Sequence, residues 1–360
     1  MRRTEKYPGM TEPVAQGPSR QARERGPPPH RPDAGYRARF PARRSYAALD
    51  LGTNNCRMLI ARPDGDQFYI VDAFSRIVRL GEGLGASGRL SDAAMDRAVS
   101  ALSICADKLV RRNVHLSRSV ATEACRRAAN GAEFVDRVYQ ETGIKLDVIP
   151  AEEEARLAVV GCHRLLEEGD GPALVFDIGG GSTELVIVDT SGEEPRTLDW
   201  LSVPWGGVSL AESEGPDPDC LDERLAAYVR MRGRVAESFS AFAERQPSRS
   251  AELRLLGTSG TVTTLASVHL GLPSYDRKAI DGLIVPSEAM RVISTDLSRR
   301  SLAERAKLAC IGNERADLVV AGCAILEAIL DIWPAPRVGV ADRGIREGIL
   351  RQLMRQEKCT

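Results

Sequence analysis

A Gly-rich hairpin pattern at residues 172–189 constrains the fold of this chain more than any other stretch. Two short apolar runs flank a link of three glycines, a serine and a threonine, which is typical of a β-hairpin. Because Gly179 to Gly181 carry no side chains, backbone N–H groups in the turn can approach an anion closely. Ser182 and Thr183 add hydroxyl donors. Taken alone, this pattern more often marks an ordinary tight turn than a phosphate loop.

Carboxylates at both ends of the turn favour the phosphate interpretation. Asp177 precedes the glycines, and Glu184 follows the two hydroxyl residues. N–H donors flanked by carboxylates repel a bare phosphate unless a divalent cation lies among them. The stretch therefore indicates a phosphate site that works with a cation such as Mg²⁺.

The same pattern occurs a second time, in residues 49–60. Laying 49–60 over 176–187 pairs Asp50 with Asp177, Gly52 with Gly179, and Asn54-Asn55 with Gly181-Ser182. Chance produces one such hairpin more easily than two in register. The repeat predicts two related subdomains that each present a phosphate loop to one cleft.

Strands alternate with helices along the chain, which predicts an α/β fold. One further strand, at residues 253–256, runs into Gly257-Thr-Ser-Gly-Thr and then into a helix. A helix that begins after a Gly/Ser/Thr turn offers free N–H groups to an anion. Gly257, Ser259 and Gly260 are therefore additional candidates for binding phosphate.

Charge is distributed unevenly along the chain. Its 360 residues allow about two domains, and 43% hydrophobic residues suffice for a full core. Residues 1–45 hold 11 Lys/Arg against 4 Asp/Glu, a net +7, which leaves −8 for the remainder of a chain with net charge −1. We expect residues 1–44 to form a disordered, basic, Pro-rich tail without a signal peptide. The tail is either a solvated leader or an electrostatic lure for a polyanion.

The cysteines, the histidines, the net charge and the apolar runs narrow the range of possible functions and locations. The eight cysteines form no Cys-x-x-Cys pair, and the four histidines match no metal-ligand spacing. We therefore expect reduced core thiols and a cytoplasmic location. The near-neutral net charge gives no sign of nucleic acid binding, and no apolar run is long enough to span a membrane. Ser91 and Asn130 are predicted to cap helices, Asn130 in a capping box with Glu133.

Six motifs resemble the exopolyphosphatase / guanosine pentaphosphate phosphohydrolase (Ppx/GppA) family, in the family's order over about residues 46–355. They are Tyr46-Ala-Ala-Leu-Asp-Leu-Gly-Thr-Asn-Asn, Ala121-Thr-Glu-Ala-Cys-Arg-Arg-Ala, Glu153-Glu-Ala-Arg-Leu, Asp177-Ile-Gly-Gly-Gly-Ser-Thr-Glu-Leu, Gly257-Thr-Ser-Gly-Thr and Asp342-Arg-Gly-Ile-Arg-Glu-Gly. The chain looks like the short form, because longer members carry an additional helical region at the C-terminus.

The resemblance implies an actin-like ATPase fold, with two similar ribonuclease-H-like domains and the active site in the cleft between them. We place domain I at 45–170 and domain II at 171–342, with the boundary at the Gly-Asp-Gly-Pro turn before the central hairpin. A C-terminal helix within 343–360 is expected to pack back on domain I.

The resemblance also implies a Mg²⁺-dependent exopolyphosphatase that releases the terminal phosphate of inorganic polyphosphate. The alternative is a guanosine pentaphosphate (pppGpp) 5′-phosphohydrolase, since both substrates end in the same phosphoanhydride. Less favoured are an ATP-dependent kinase or a filament protein of the same fold. A homodimer is a further expectation.

Roles follow for the residues of the two hairpins and their neighbours. Asp50, Asp177 and Glu184 would hold Mg²⁺, and Glu154 would be the catalytic base by resemblance, with Glu184 as second choice. Arg126 would bind phosphate oxygens with its forked guanidinium. The expected phosphate donors are Gly52, Asn54, Asn55, Gly180, Gly181, Ser182 and Thr183. The chain departs from the family pattern at two positions. Ala151 replaces a glycine, which bears on the sequence register that identifies Glu154 as the base. Asn55 replaces a serine, so an amide stands where the family has a hydroxyl donor.

Overall fold

The computed structural model describes residues 44–169, 171–192, 195–246 and 253–358, so the predicted tail at 1–43 lies outside the described residues. The strands of the described part are β1 Ser45–Leu51, β2 Asn55–Asp64, β3 Gln67–Ile77, β4 Val114–Ala121, β5 Leu146–Val148, β6 Ala173–Ile178, β7 Thr183–Asp189, β8 Arg196–Val203, β9 Arg254–Thr258, β10 Ile284–Pro286 and β11 Arg337–Ala341.

Helices surround these strands. They are α1 Leu84–Ser87, α2 Asp92–Arg111, α3 Glu123–Arg127, α4 Gly131–Thr142, α5 Ala151–Cys162, α6 Gly207–Glu214, α7 Leu221–Arg245, α8 Ser259–His269, α9 Arg277–Ile280, α10 Ser287–Arg299, α11 Leu302–Ala306, α12 Gly312–Arg315, α13 Val319–Ile332 and α14 Ile345–Lys358. A 3-10 turn, His163–Leu165, follows α5.

The strands form two mixed sheets built on one plan. The first sheet has the order β3-β2-β1-β4-β5, and the second has the order β10-β11-β9-β6-β7-β8. Each contains one of the predicted hairpins, with β1 antiparallel to β2 and β6 antiparallel to β7. Each hairpin strand then pairs in parallel with a later strand, β1 with β4 and β6 with β9. The internal repeat seen in the sequence is therefore a repeat of structure.

Apolar side chains cover both faces of each sheet, which explains the nearly continuous hydrophobic run of β1 and β6. Helices α2 and α4 cover one face of the first sheet, and α7, α8, α10 and α13 cover one face of the second. Helix α14 covers the other face of the first sheet, through Ile349 and Leu350. Helix α5 covers the other face of the second sheet, through Ala155 and Val159.

Helices α5 and α14 pack directly against each other between the sheets. Their backbones approach closely at two glycines. A Cβ on Gly161 would overlap the carbonyl oxygen of Gly344, and a Cβ on Gly348 would overlap that of Leu157. The C-terminal helix thus lies against β1 and α5, and it holds α5 in a fixed position.

Of the two helix N-caps predicted from the sequence, the structure confirms Ser91 and contradicts Asn130. Ser91 caps α2 by accepting a hydrogen bond from the Ala94 N–H at 3.3 Å. The capping box predicted for Asn130 is wrong, because the Asn130 side chain binds the N–H and the carbonyl of Leu90, at 2.8 and 3.0 Å. The buried amide ties the start of α4 to the segment before α2 instead.

In the part of the chain that the structure covers, none of the helices combines the length and apolar character needed to cross a membrane. The cysteines within the described ranges, which exclude Cys359, are all free thiols.

Candidate active site

The turn between β1 and β2 and the Gly-rich turn between β6 and β7 face each other at the ends of interior strands of the two sheets. In each turn the N–H of the first glycine donates to a carbonyl three residues later, Gly52 to Asn55 at 2.9 Å and Gly179 to Ser182 at 3.0 Å. A Cβ on Gly180 would lie only 3.1 Å from the Asn54 Cβ and backbone nitrogen. The turns can approach this closely because the second one has no side chain at that position.

A cleft of ≈ 90 Å³ lies between the turns and takes its walls from both halves of the chain. Its charged wall residues are Asp50, Glu123, Glu154, Asp177, Glu184 and Asp342 on the acidic side, and Arg57, Arg343 and Arg346 on the basic side. A small space with this many opposed charges suits an anionic group bound together with a cation, and it does not suit an apolar ligand.

Three carboxylates of the hairpin strands point into this cleft and repel one another. Burial, strengthened by the charge of Asp50, raises the pKa of Asp177 to about 6. Burial, strengthened by Asp177, raises the pKa of Glu184 to about 7 even though the Ser202 hydroxyl donates to Glu184 at 2.8 Å. Burial also raises the pKa of Asp50. Without an added positive charge these groups hold protons at a pH where exposed carboxyls are ionised.

Glu154 lies on the first turn of α5, with only 7% of its surface exposed. Burial, followed by the charge of Glu184, raises its pKa well above the usual range. The Arg126 guanidinium donates to Glu154 at 3.0 Å and opposes this shift without cancelling it. A carboxylate that is buried, oriented by an arginine and raised in pKa has the properties of a general base.

Arg126 is placed differently from the sequence expectation. Its two Nη atoms donate to Glu154 at 3.0 Å and to Glu123 at 2.6 Å, and one of them also donates to the Ile149 carbonyl at 2.8 Å. With both ends of the fork engaged, the side chain lies behind Glu154 and does not line the cleft. The geometry fits an orienting role for Arg126 better than direct contact with a phosphate.

Most of the predicted phosphate donors line the cleft, namely Gly52, Asn54, Asn55, Gly180, Gly181, Ser182 and Ser259. Gly260 lines a smaller cavity that adjoins it. Two predicted donors lie elsewhere. The Thr183 hydroxyl donates to the Trp205 carbonyl at 2.7 Å. Gly257 is buried inside β9, where a Cβ would lie 2.5 Å from the Phe176 ring, so packing accounts for this glycine.

Sequence reasoning missed all three basic residues of the cleft. Arg343 is paired with Asp281 at 2.6 Å, and the other two are Arg57 and Arg346. Within the described ranges neither side chain has a hydrogen bond or an ion pair, although both are close enough to influence Asp50. Burial, together with Arg346, lowers the pKa of Arg57. The internal repeat could have identified Arg57. It pairs with Asp50 across the first hairpin as Glu184 pairs with Asp177 across the second.

The donor set of the cleft fits a hard cation such as Mg²⁺. One carboxylate oxygen of Asp50 and the side-chain oxygen of Asn54 are buried without any hydrogen-bond partner, which is costly unless a cation or its water completes them. Among the described residues, no three His, Cys, Asp or Glu side chains converge as a closed metal site. Mg²⁺ does not need one, because it binds through one or two carboxylates, waters and substrate phosphates.

A second, larger cavity of ≈ 960 Å³ meets the cleft at Asn54. The segment from Pro204 to Pro218 forms much of its wall, and Trp205, Met231 and Val320 give it an apolar floor. Two ion pairs border it, Arg79 with Asp317 at 2.8 Å and Arg305 with Asp217 at 2.7 Å.

The sequence and the fold have counterparts among known proteins. The chain is 32% identical to exopolyphosphatase 2 of Mycobacterium tuberculosis over 297 residues, covering 79% of this chain and 89% of that one. It is 29% identical over 321 residues to the guanosine-5′-triphosphate,3′-diphosphate pyrophosphatase of Aeromonas hydrophila, covering 86% of this chain and 59% of the longer relative. The crystal structure of the Aquifex aeolicus Ppx/GppA family member superposes with a TM-score of 0.70 at 27% identity, covering 87% of this chain and 98% of the other.

The similarity to these solved structures confirms the expected α/β fold of the actin-like kind, with its two sheets. Residues 59–357 match the profile of the Ppx/GppA phosphatase family, well over half of the sequence. The chain therefore belongs to the Ppx/GppA phosphatase family.

Proposed function

We propose that this protein is an exopolyphosphatase that hydrolyses the terminal phosphoanhydride of inorganic polyphosphate and releases orthophosphate. The observation that carries the proposal is the buried Glu154 carboxylate, which an arginine orients at the wall of a cleft formed by two facing Gly-rich turns. The names of the M. tuberculosis and A. hydrophila relatives support phosphoanhydride hydrolysis in general.

The chemistry follows from what the wall residues can do. The terminal phosphate binds between the turns, where the N–H groups around Gly180 and Gly181 and the Asn54 side chain surround it. Glu154 takes a proton from a water molecule, the water oxygen bonds to the terminal phosphorus, and the bridging P–O bond breaks. The leaving chain departs one phosphate shorter. Fixed donors lower the barrier because charge spreads over the three equatorial oxygens as the bond breaks.

Mg²⁺ would be held by one or two of the carboxylates Asp50, Asp177 and Glu184, together with waters and substrate phosphates, and it would supply the positive charge that shields the phosphate oxygens from these carboxylates. The unpartnered Asp50 oxygen and the raised pKa of Asp177 support this assignment. Glu184 would serve both as a ligand and as a partner of the attacking water, since the Ser202 hydroxyl already fixes one of its oxygens.

A guanosine pentaphosphate 5′-phosphohydrolase is the second candidate. The 960 Å³ cavity beside the cleft favours it, because its size and apolar floor around Trp205 could accept a nucleoside. The same terminal phosphate would be cleaved by the same residues.

Initial rates of orthophosphate release test the choice of substrate. Purified protein with Mg²⁺ receives long-chain polyphosphate, guanosine pentaphosphate or ATP separately, each over a concentration range that gives kcat/KM. We expect the highest kcat/KM for polyphosphate. A higher value for guanosine pentaphosphate would establish the second candidate, and turnover of ATP alone would instead indicate a kinase or filament protein of this fold.

A further inference from the structure

A separate cavity of ≈ 220 Å³ lies outside the candidate cleft and shares none of its wall residues. Three segments form its walls, namely the turn between β2 and β3 with its flanking residues, the 3-10 turn after α5, and the last turns of α14. A water molecule takes up about 30 Å³ in the liquid, so this space can hold a small anion with several waters. It is smaller than the pocket of a drug-sized ligand, about 300–1,000 Å³.

The charge of this cavity is positive. Arg164, Arg351 and Arg355 line it, and Asp66 is the one carboxylate among its described wall residues. Three positive charges against one negative charge leave +2, which a doubly charged anion would balance. A phosphate group carries about −1.5 to −2 near neutral pH. Its several oxygens can accept from more than one forked guanidinium at once, which the two oxygens of one carboxylate do less well.

Arg351 gives the most direct indication of a ligand. Only 8% of its surface is exposed, and its Nε atom is buried without a hydrogen-bond partner. The guanidinium lies 5.7 Å from the centroid of the Phe68 ring, and among the described residues it has no ion pair. Burial, followed by the charges of Arg164 and Arg343, lowers its pKa. A buried cation without a counter-charge is costly, and a bound anion would remove that cost.

Arg164 offers a second set of donors to the same space. Its side chain is exposed on the 3-10 turn, and within the described ranges no hydrogen bond or ion pair engages it. The exposed Arg156, on the preceding helix, instead lies 3.7 Å from a Glu153 oxygen. Arg164 and Arg351 could therefore bind one anion together without breaking an existing ion pair.

An occupant of this cavity would join the first sheet to the two helices between the sheets. The turn between β2 and β3 belongs to the first sheet, Arg351 lies on α14, and Arg164 follows α5 directly. Helix α14 packs on α5 where Gly348 meets the Leu157 carbonyl, and α5 carries Glu154. A ligand that needs all three segments in place stabilises this packing, because it binds only the folded arrangement.

We propose that the cavity lined by Arg164, Arg351 and Arg355 is an accessory anion site that binds a phosphate group apart from the candidate cleft. The group arrives as free orthophosphate or as part of a longer phosphate chain. Its binding stabilises the packing of α14 against α5. The proposal does not depend on the proposed function, because none of the residues it uses lines the cleft.

Calorimetric titration with orthophosphate tests the accessory anion site. The full chain is titrated at pH 8 with EDTA, without divalent cations and at constant ionic strength. Under these conditions Asp177 and Glu184, with pKa values of about 6 and 7, are ionised and repel phosphate from the cleft. Binding that remains is therefore expected outside the cleft.

Four variants locate the bound phosphate. Arg164→Gln and Arg351→Gln each remove one arginine of the accessory anion site. Arg156→Gln is the matched control, since Arg156 is an exposed arginine on α5 that does not line the cavity. Arg346→Gln removes an arginine of the cleft. Melting curves confirm folding, and should Arg351→Gln fail to fold, Arg164→Gln decides because its side chain is exposed.

We expect one orthophosphate per chain, with binding weakened about tenfold or more by Arg351→Gln and about fivefold by the more exposed Arg164→Gln. Arg156→Gln and Arg346→Gln should change it less than about twofold. No binding, binding that Arg164→Gln leaves unchanged, or equal weakening by all four substitutions would each overturn the proposal. Malonate is titrated as a dianion with carboxylates only, and tighter binding of malonate than of orthophosphate would also overturn it.

Two further measurements complete the test. Orthophosphate should raise the melting temperature of the unsubstituted protein, and an increase of the same size in Arg164→Gln would contradict the proposed stabilisation. Tripolyphosphate separates the two sources of the phosphate group. Tighter binding of tripolyphosphate than of orthophosphate, lost in Arg164→Gln and Arg351→Gln, assigns the site to a longer chain, and equal binding of the two assigns it to a single phosphate.

Discussion

Arg126 illustrates how one side chain can be needed for both stability and chemistry. Its guanidinium satisfies two largely buried carboxylates, Glu123 and Glu154, as well as the Ile149 carbonyl. Removing a partner from such a group costs more than the intact pair contributes, because the remaining charges stay desolvated.

We therefore expect Arg126→Ala to lower the free energy of unfolding by about 3 kcal/mol, the low end for a broken buried pair because Arg126 retains some exposure. Urea unfolding measures the change. Arg118→Ala is the control, since Arg118 pairs with Glu153 and Asp147 nearer the surface, and it should cost less than about 1 kcal/mol. Equal losses in the two variants would show that the Arg126 contacts are no more than surface pairs.

The raised pKa values of Asp177, about 6, and Glu184, about 7, predict a pH-dependent response to Mg²⁺. In the folded protein these carboxyls keep protons that the unfolded chain has already lost above its ordinary values of 3.8 and 4.5. The contribution of these two groups to the free energy of unfolding of the metal-free protein therefore falls as pH rises from about 4 to 7. Mg²⁺ needs the deprotonated forms, so its stabilising effect grows over the same range.

Thermal melts with and without Mg²⁺ at pH 5, 6, 7 and 8 measure this linkage. The increase in Tm on adding Mg²⁺ should be small at pH 5 and should reach a plateau near pH 8. Asp177→Asn should abolish most of the increase at pH 8. An increase that is independent of pH would place the cation away from these carboxylates.

Individual residues show which parts of the site could be predicted from the sequence and which could not. Asp50, Asp177 and Glu184 could be identified as candidate metal ligands because they stand at fixed positions around the two predicted hairpin turns. Arg57 lies on the same strand pattern but was not singled out, because an arginine in a strand resembles an exposed position until its cross-strand neighbour is known. The local sequence also predicts phosphate binding by Gly257, whereas its packing against the Phe176 ring depends on tertiary structure that the local sequence does not reveal.

At the level of elements, the hairpins could be predicted from the residues and the return of a C-terminal helix to domain I from the family resemblance, but the contact between α5 and α14 could not be predicted. Hairpins form between neighbouring residues, so the turn chemistry and the apolar runs suffice to recognise them. All six strands of the second sheet lie between helices α5 and α14 in sequence, and nothing local indicates that Gly161 and Gly348 face a neighbouring backbone. Their contact fixes α5, and with it the position of Glu154.

We expect Gly348→Ala to destabilise the protein by about 1–3 kcal/mol, as overpacking does, because its Cβ would overlap the Leu157 carbonyl. Gly233→Ala in α7 is the control, since nothing lies near its would-be Cβ, and it should stabilise by about 0.5–1 kcal/mol through helix propensity. Urea unfolding compares the two. A neutral Gly348→Ala would mean that α14 can shift away from α5 without loss.

At the scale of the whole molecule, the candidate active cleft exists only because two similar halves are brought together. Asp50 and Asn54 come from the first sheet, Asp177 and Glu184 from the second, and Glu154 from a helix between them. The internal repeat predicted this arrangement in outline, and family membership supports it. Part of the basic side of the cleft comes from Arg346, which is distant in sequence from both hairpins, and this placement could not be inferred from spacing.

The most direct test of the account is the rate of orthophosphate release from long-chain polyphosphate by Glu154→Gln, compared with Glu153→Gln. The neighbouring Glu153 pairs with Arg118 and does not line the cleft, so both variants lose the same charge from the same helical turn. We predict that Glu154→Gln lowers kcat by about 10²–10⁴-fold, the usual contribution of a general base, while Glu153→Gln stays within about twofold. Comparable rates for the two variants, or a larger loss in Glu153→Gln, would contradict the assignment of Glu154 as the base.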